Sequence, residues 1–319
     1  MTRHNALKVL LAGAVLVIGG TAIASAQDTL KVAVGQRGAW DTSVTDVGLR
    51  AGIFKKHNIN IETVYTQGSG ETQQAVISGS ADVGIGVGVM GAIGAYAKGA
   101  PVRILGAEAT GAGDLYWYVK ADSPIKTLKD ADGKTIAYST KGSSTDGVVT
   151  ALIKQYNLKA KPTATGGPPA TLTLVMAGSI DVGWAIPPFG FDQIDQKQIR
   201  IIATGNDSVF KGQTVRLIEV NAQSLAAKKA ALDRYMKAYR ETVDYMYSDP
   251  AALKIYAEFA KISEAKAKRS RDDFFAKSAL DPDKVVGLDV IMQDAVNLKF
   301  TKAPLTKEQL AGLIQIPPR

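Results

Sequence analysis

The motif with the most specific chemical meaning in this sequence is rich in glycine. Residues 86–91 (Gly-Val-Gly-Val-Met-Gly) match the G-x-G-x-x-G pattern that holds a dinucleotide pyrophosphate at the start of a helix. Glu108 follows Gly86 by 22 residues, where such sites place the acid that binds the ribose. The pattern therefore raises the possibility of an exported NAD(P)-binding oxidoreductase.

Three observations weigh against a dinucleotide site. The helix predicted after the motif is short, and two strands and two helices precede it, whereas a dinucleotide motif normally occupies the first βα turn. The N-terminus also lacks the twin-arginine signal expected for a protein exported with its cofactor. We therefore interpret these glycines as positions of close packing beside a ligand cleft and keep the oxidoreductase as the alternative.

Nucleophilic and metal chemistry have few residues available. The 319 residues include no Cys and only two His, of which His57 alone follows the N-terminal segment. This composition excludes thiolate nucleophiles, Cys-ligated zinc and multi-histidine metal sites. The acidic residues form no tight paired-carboxylate motif, and no G-x-x-x-x-G-K-[ST] phosphate loop is present. The sequence predicts a protein that is not an enzyme and that needs neither a cofactor nor a metal.

Loops that follow predicted strands carry the residues suited to hold a small ligand. Ser143 and Ser144 precede a predicted helix, where free backbone N–H groups and hydroxyls favour an anion, although plain N-capping is the alternative for Ser143. Trp40 and Phe189 could stack on a ligand or lie in the core. The predicted ligand-binding residues are Gln36, Trp40, Gly68, Ser69, Gly88, Met90, Lys141, Ser143, Ser144, Pro187 and Phe189.

Alternating strands and helices must position these loops. Strand and helix patterns alternate up to about residue 220, which is typical of a parallel sheet flanked by helices. After Asn221 the pattern is helical throughout. The predicted strands are 30–34, 59–65, 82–87, 102–107, 117–120, 135–139, 181–185, 199–203 and 215–220, and the predicted helices are 40–56, 71–77, 90–97, 147–156, 172–176, 224–247, 250–260, 263–275 and 282–296.

An internal repeat indicates two lobes with one plan. Residues 78–84 (Ser-Gly-Ser-Ala-Asp-Val-Gly) match residues 177–183 (Ala-Gly-Ser-Ile-Asp-Val-Gly). Gly68 and Gly167, and likewise Thr66 and Thr165, keep the same offset upstream. The spacing is too long for a solenoid, so we expect two α/β lobes that share one arrangement.

These motifs, in this order, resemble a known family. The chain is similar to the periplasmic substrate-binding proteins of ABC importers for nitrate, sulfonates and taurine, whose fold resembles that of thiamine-pyrimidine synthases. The similarity covers nearly all of residues 28–300. The segments that carry it are residues 47–54, 58–62, 78–84, 128–137 and 177–184 with Pro187.

The resemblance implies a type II periplasmic-binding-protein fold with two duplicated α/β lobes, two crossover strands and a helical C-terminal region. We expect lobe 1 over residues 27–108 and 206–319 and lobe 2 over residues 109–205, with crossings near residues 107–111 and 203–205. The implied function is capture of a small organic anion (sulfonate, nitrate or carboxylate) by lobe closure and delivery, as a monomer, to an ABC permease. A ligand sensor for a signalling receptor is a further alternative.

The N-terminus and the charge balance predict an exported protein. Arg3 and Lys8 precede a short apolar run, Val9 to Ile18, and Ala24-Ser25-Ala26 follows it as a cleavage site of small residues. Residues 1–26 therefore form a predicted signal peptide, and the protein is predicted to be periplasmic. Removing these two basic residues lowers the net charge from +8 to +6. We expect no nucleic-acid partner. The densest basic cluster, Lys266, Lys268, Arg269 and Arg271, is interpreted as a solvated helix face, and Lys141 and Arg37 could either pair with an anion or remain solvated.

Overall fold

The computed structural model describes residues 27–319, so the predicted signal peptide lies outside the described residues. Strands and helices alternate as predicted. The strands are β1 (Asp28–Gly35), β2 (Ile59–Thr66), β3 (Val83–Gly88), β4 (Val102–Thr110), β5 (Tyr116–Lys120), β6 (Thr135–Tyr138), β7 (Lys161–Ala164), β8 (Gly183–Ala185), β9 (Ile199–Thr204) and β10 (Thr214–Asn221). The helices are α1 (Val44–Arg50), α2 (Ile53–Lys56), α3 (Ser69–Ile77), α4 (Val89–Ala97), α5 (Ser144–Gln155), α6 (Pro168–Met176), α7 (Phe191–Asp195), α8 (Ala222–Ala227), α9 (Lys229–Ser248), α10 (Pro250–Ala260), α11 (Glu264–Phe274), α12 (Leu288–Asn297) and α13 (Lys307–Leu313).

Two groups of strands define the architecture. A five-stranded sheet has the order β2-β1-β3-β10-β4, in which β1 is parallel to β2 and β3, while β10 is antiparallel to β3 and β4. A second group contains the antiparallel sheet β8-β5-β9 and the parallel pair β6-β7, joined by a bridge between Ile136 and Val182. We call the first sheet with its helices lobe 1 and the second group with its helices lobe 2.

The chain crosses between the lobes twice. It leaves lobe 1 after β4 and returns in β10, which is why β10 runs antiparallel within a sheet that the sequence predicts to be parallel. The two crossing segments are hydrogen-bonded to each other: Gly111 N donates to Gln213 O at 2.9 Å, and Gly205 N donates to Leu115 O at 2.8 Å. The lobe boundaries given above stay a prediction.

The internal repeat is present as the same local structure in both lobes. Asp82 accepts a hydrogen bond from the backbone N–H of Lys31 on β1 at 2.9 Å, and Asp181 accepts one from Thr135 N on β6, also at 2.9 Å. In each copy the glycine before the aspartate has a left-handed backbone, with φ 74° at Gly79 and φ 75° at Gly178. Each carboxylate therefore joins a helix–strand turn to the neighbouring strand.

Some elements differ from the sequence-based prediction. The predicted helix 40–56 is interrupted at Gly52 (φ 75°), which separates α1 from α2. The predicted helix 282–296 begins only at Leu288, because the backbone before it pairs with strands: Ala107 N donates to Pro282 O and Thr214 N donates to Val286 O, both at 3.0 Å. β7, α7 and α13 were not predicted. No helix within residues 27–319 is both long and apolar enough to cross a lipid bilayer.

Candidate functional site

A small cavity lies between the lobes. The space inside it that the centre of a water molecule can reach is only about 20 Å³. The lobes are therefore closed around this space, and a solute of more than a few atoms can enter only if they separate. Lobe 1 and lobe 2 both contribute its walls. The lining residues are Gln36, Asp41, Thr42, Ser69, Gly86, Leu115, Ser139, Ser143, Ser144, Thr145, Trp184, Ile186 and Arg216.

Helix N-termini from both lobes meet at this cavity. Ser69 is the first residue of α3, and Ser143 is the N-cap of α5. Ser143 Oγ accepts a hydrogen bond from Asp146 N at 3.1 Å, and Ser69 Oγ accepts one from Gly88 N at 2.6 Å. The first N–H groups of a helix lack intrahelical partners and carry the positive end of the helix dipole. Two such ends facing one cavity favour an anionic or hydrogen-bond-accepting solute.

A buried ion cluster borders the cavity through Asp41 and Arg216. Arg216 Nε donates to Asp41 at 2.7 Å, and Arg216 Nη2 donates to Asp114 at 2.5 Å. Burial raises the pKa of Asp114 to about 6, although the positive charge of Arg216 opposes this rise. Burial and the charge of Asp41 hold the pKa of Glu108, which is also buried there, well above its usual range. Asp41 and Asp114 both pair with Arg216, which is therefore not a free cation for an anionic solute.

Three buried polar atoms on residues that line the cavity have no partner within residues 27–319. They are the donors Trp184 Nε1 and Arg216 Nη1 and the acceptor Asp41 Oδ1. Buried polar groups in native proteins are normally hydrogen-bonded, so these atoms keep unused hydrogen-bonding capacity in the wall of the cavity. The cavity thus offers two side-chain N–H donors and one carboxylate oxygen in addition to the helix ends.

Sequence reasoning brought some of these residues together and missed others. Of the predicted ligand-binding residues, Gln36, Ser69, Ser143 and Ser144 line the cavity. Asp41, Trp184 and Arg216 were missed because strand-end loops alone do not reveal which core side chains reach a cleft. The cavity residues that are absent from the predicted set are Asp41, Thr42, Gly86, Leu115, Ser139, Thr145, Trp184, Ile186 and Arg216.

The structure places two predicted aromatic residues away from the cavity. Trp40 is fully buried in lobe 1, where its Nε1 donates to Tyr247 Oη at 3.0 Å and its ring packs edge-on against Tyr256. It is therefore a core residue rather than a stacking surface. Phe189 lies in a separate groove, described below, and Pro187 lines neither space.

The remaining predicted residues also lie outside the cavity lining. Lys141 points outward and pairs with Asp146 at 3.0 Å, and Met90 is buried beside Gly147. Gly68 packs against Thr140 of lobe 2, where a β-carbon would lie 3.0 Å from Thr140 Oγ1. These residues contact the lobe boundary or the core instead of the enclosed space.

The glycine-rich motif is used for packing between the lobes. A β-carbon on Gly88 would lie 2.6 Å from both the Gly142 carbonyl oxygen and the Ser144 backbone nitrogen. Glu108 is buried and accepts a hydrogen bond from Gly86 N, so its carboxylate is engaged within lobe 1. In this arrangement the backbone of lobe 2 packs directly against the glycines of the motif.

Comparison with known proteins identifies the class. The family model described as "NMT1/THI5 like" matches residues 47–253, which is more than half of the chain. A search of curated proteins gave no match. Among solved structures, the alkanesulfonate-binding protein SsuA from Xanthomonas axonopodis pv. citri, bound to MOPS, aligns with a TM-score of 0.76 at 16% identity and covers 91% of this chain and 98% of its own.

Two further structures show how the same fold is used. The periplasmic nitrate-binding protein NrtA from Synechocystis PCC 6803 aligns with a TM-score of 0.69 at 13% identity, over 89% of this chain and 84% of its own. The desulfurization enzyme DszB aligns with a TM-score of 0.62 at 14% identity, over 89% of this chain and 96% of its own. The predicted two-lobe periplasmic-binding-protein fold is confirmed. The chain belongs to the NMT1/THI5-like family.

Proposed function

We propose that this chain is an extracytoplasmic solute-binding protein that captures a small organic anion, of the sulfonate, nitrate or carboxylate type, by closure of its two lobes. The observation that carries the proposal is the cavity enclosed between the lobes and bordered by the N-termini of α3 and α5. A solute bound there contacts both lobes, so it stabilises the closed arrangement over the open one.

The chemistry of the cavity supports an acceptor-bearing solute. The unpartnered N–H groups of Trp184 and Arg216 can donate to oxygen atoms of a sulfonate or carboxylate. The Ser144 hydroxyl at the start of α5 adds a further donor. The names of the matched sulfonate-binding and nitrate-binding proteins support the same solute class.

We also propose that the protein acts outside the inner membrane as part of an import system. We infer that residues 1–26 are removed as a signal peptide, that the remaining chain acts in the periplasm as a monomer, and that the closed form delivers its solute to an ABC permease. The family membership and the names of the matched structures support this role. A sensor that passes closure to a signalling receptor has the same cavity, and a pull-down of the membrane partner distinguishes the two.

Thermal unfolding of the chain from Gln27 onward, with sulfonates, nitrate, carboxylates, pyrimidines or NAD at about 1 mM, tests the function. A solute with micromolar affinity adds about 4 kcal/mol of stability, which corresponds to a rise of roughly 5–10 °C in Tm. We expect such a rise with one small organic anion and none with NAD. A rise with NAD alone would favour the oxidoreductase instead.

A further inference from the structure

A second, larger space lies on the other side of strand β8 from the cavity. Consecutive strand residues point to opposite faces, and here Trp184 and Ile186 line the cavity whereas Ala185 lines the second space. The volume that the centre of a water molecule can reach is about 370 Å³ here, compared with about 20 Å³ in the cavity. We call this space the β8 groove; its walls include Arg37, Tyr118, Leu172, Phe189, Phe259 and Lys261.

The β8 groove has walls from both lobes. Lobe 2 contributes Leu172 from the first half of α6 and the aromatic ring of Phe189. Lobe 1 contributes Gly38 and the end of α10 at Phe259. A β-carbon on Gly38 would lie 3.6 Å from Phe189 Cζ, so the lobes meet at one end of the groove. A molecule that fills the groove therefore contacts both lobes.

Polar groups in the β8 groove define what can bind. The side chain of Tyr118 is only 1% exposed, and its hydroxyl has no hydrogen-bond partner within residues 27–319. Arg37 and Lys261 bring two cations, and the Arg37 guanidinium is held 5.0 Å from the ring centroid of Phe259. The one acid of the lining, Asp192, already pairs with Lys266 outside the groove. Arg37 also lies beside the ring of Tyr65 and near the Asp46 carboxylate, so Lys261 is the cation of the groove with no acid named beside it. The groove therefore combines apolar walls with two cationic side chains and a buried hydroxyl.

We propose that the β8 groove is a second binding site, separate from the cavity, for an amphipathic organic anion with a ring or a short aliphatic body. The body packs between Leu172 and Phe189, the anionic group lies toward Arg37 and Lys261, and the Tyr118 hydroxyl bonds a polar atom of the ligand. Because the groove is formed by both lobes, a ligand bound in it favours closure. That ligand therefore raises the affinity of the cavity for its solute, and the solute raises the affinity of the groove for its ligand by the same factor.

The test uses 8-anilinonaphthalene-1-sulfonate, which has an apolar ring system and one sulfonate, titrated calorimetrically into the chain from Gln27 onward. We expect saturable binding of one molecule per chain. Leu172→Trp fills the groove and lowers the affinity by about tenfold or more. The matched control is Met176→Trp, on the same helix but 41% exposed and outside the groove, which leaves the affinity unchanged.

Two further variants keep the proposal testable if Leu172→Trp does not fold. Tyr118→Phe removes only the hydroxyl and weakens binding by about threefold to tenfold. Ser144→Ala changes the cavity and leaves binding of this probe unaltered. Many weak sites, or one site insensitive to Leu172→Trp and Tyr118→Phe, would overturn the proposal. One site sensitive only to Ser144→Ala would overturn it as well while leaving the proposed solute-binding function intact.

Discussion

Gly91 of α4 and Gly142 of the loop before α5 are in direct contact across the lobe boundary. A β-carbon on Gly91 would lie 2.3 Å from the Gly142 carbonyl oxygen, a distance that real β-carbons do not reach. Gly142 itself has a left-handed backbone (φ 82°) that turns its carbonyl toward α4. Gly88 and Gly91 of the 86–91 motif are thus required by the closed arrangement of the lobes.

Gly91→Ala is expected to prevent full closure. Alanine is better than glycine in a helix by about 0.5–1 kcal/mol, so the folded lobe 1 should not be weakened, yet the new methyl group separates α4 from Gly142. We expect the solute affinity to fall by about tenfold or more, with a larger radius of gyration in small-angle scattering at saturating solute. Gly212→Ala is the control, because nothing lies within 4 Å of its β-carbon position. A closed, tight-binding Gly91→Ala protein would contradict the role of this contact.

The two serines at α5 are expected to have separable effects. Ser143 Oγ caps the helix, so Ser143→Ala should lower the free energy of unfolding by about 1 kcal/mol as well as weaken binding. Together, Ser143→Ala and Ser144→Ala should weaken solute binding by about 1–3 kcal/mol. Ser263→Ala removes an equivalent cap on α11, where Ser263 accepts from Lys266 N at 3.3 Å, and should change only stability. Calorimetric titration beside urea unfolding measures both effects; an unchanged affinity would remove this loop from the site.

Trp184 and Trp117 provide a matched pair for the donor role. Trp184 Nε1 has no partner within the described chain, whereas Trp117 Nε1 donates to Ala137 O at 2.9 Å. Trp184→Phe should therefore weaken solute binding by about 0.5–1.5 kcal/mol for the lost hydrogen bond. Trp117→Phe leaves a buried carbonyl unpaired and should instead cost about 1–3 kcal/mol of stability. If Trp184→Phe bound solute as tightly as the wild type, the indole would not contact the ligand.

Glu219 is expected to make stability depend on pH. It is buried on β10, and burial raises its pKa to about 8, although the hydrogen bond from Gln73 Nε2 at 3.1 Å opposes this rise. Between pH 4.5 and about 8, Glu219 therefore keeps its proton in the native state, whereas in the unfolded chain, with its ordinary pKa of 4.5, it has lost that proton. Because the native state binds more protons than the unfolded state in this pH range, the free energy of unfolding falls as the pH rises from about 5 to 8.

Glu219→Gln should remove most of this dependence. At pH 8 the variant should be more stable than the wild type, by an amount on the order of 1–3 kcal/mol, and at pH 5 the two should be similar. Urea unfolding at both pH values measures the difference. Glu62→Gln on exposed β2 controls for the loss of one charge. The prediction would be contradicted if the free energy of unfolding of the wild type rose from pH 5 to pH 8 and that of Glu219→Gln rose by the same amount. Glu219 would then be ionised in the native state without destabilising it.

Much of the fold could be predicted because local patterns carry it. The repeated Gly-Ser-x-Asp-Val-Gly turns predicted two lobes of one plan, and Asp82 and Asp181 indeed make equivalent bonds to neighbouring strands. The direction of β10 and the irregular segment before Leu288 could not be predicted, since both depend on pairing with strands distant in sequence.

The site was only partly predictable for the same reason. Ser69 and Ser144 follow glycine-rich strand ends, which is a local signal. Arg216 lies within a buried strand, and only the fold brings it beside Asp41 and Asp114. Charged residues, Arg216 and Glu219, in a predicted strand that is otherwise apolar were the available signal for a buried charged group on this strand. Trp40 was predicted as a possible ligand contact but is a core residue. The sequence could not show this, because Tyr247, which covers it, comes from a C-terminal helix that is distant in sequence.

The most direct test of solute capture is a distance measured across the cleft. Because the chain has no native Cys, Val64→Cys on lobe 1 and Met176→Cys on lobe 2, both at exposed positions, accept spin labels without further changes. We predict that saturating solute from the thermal panel changes the distance distribution to one narrow population, and that Gly91→Ala abolishes the change. A solute that binds by calorimetry and leaves the distribution unchanged would contradict capture by lobe closure.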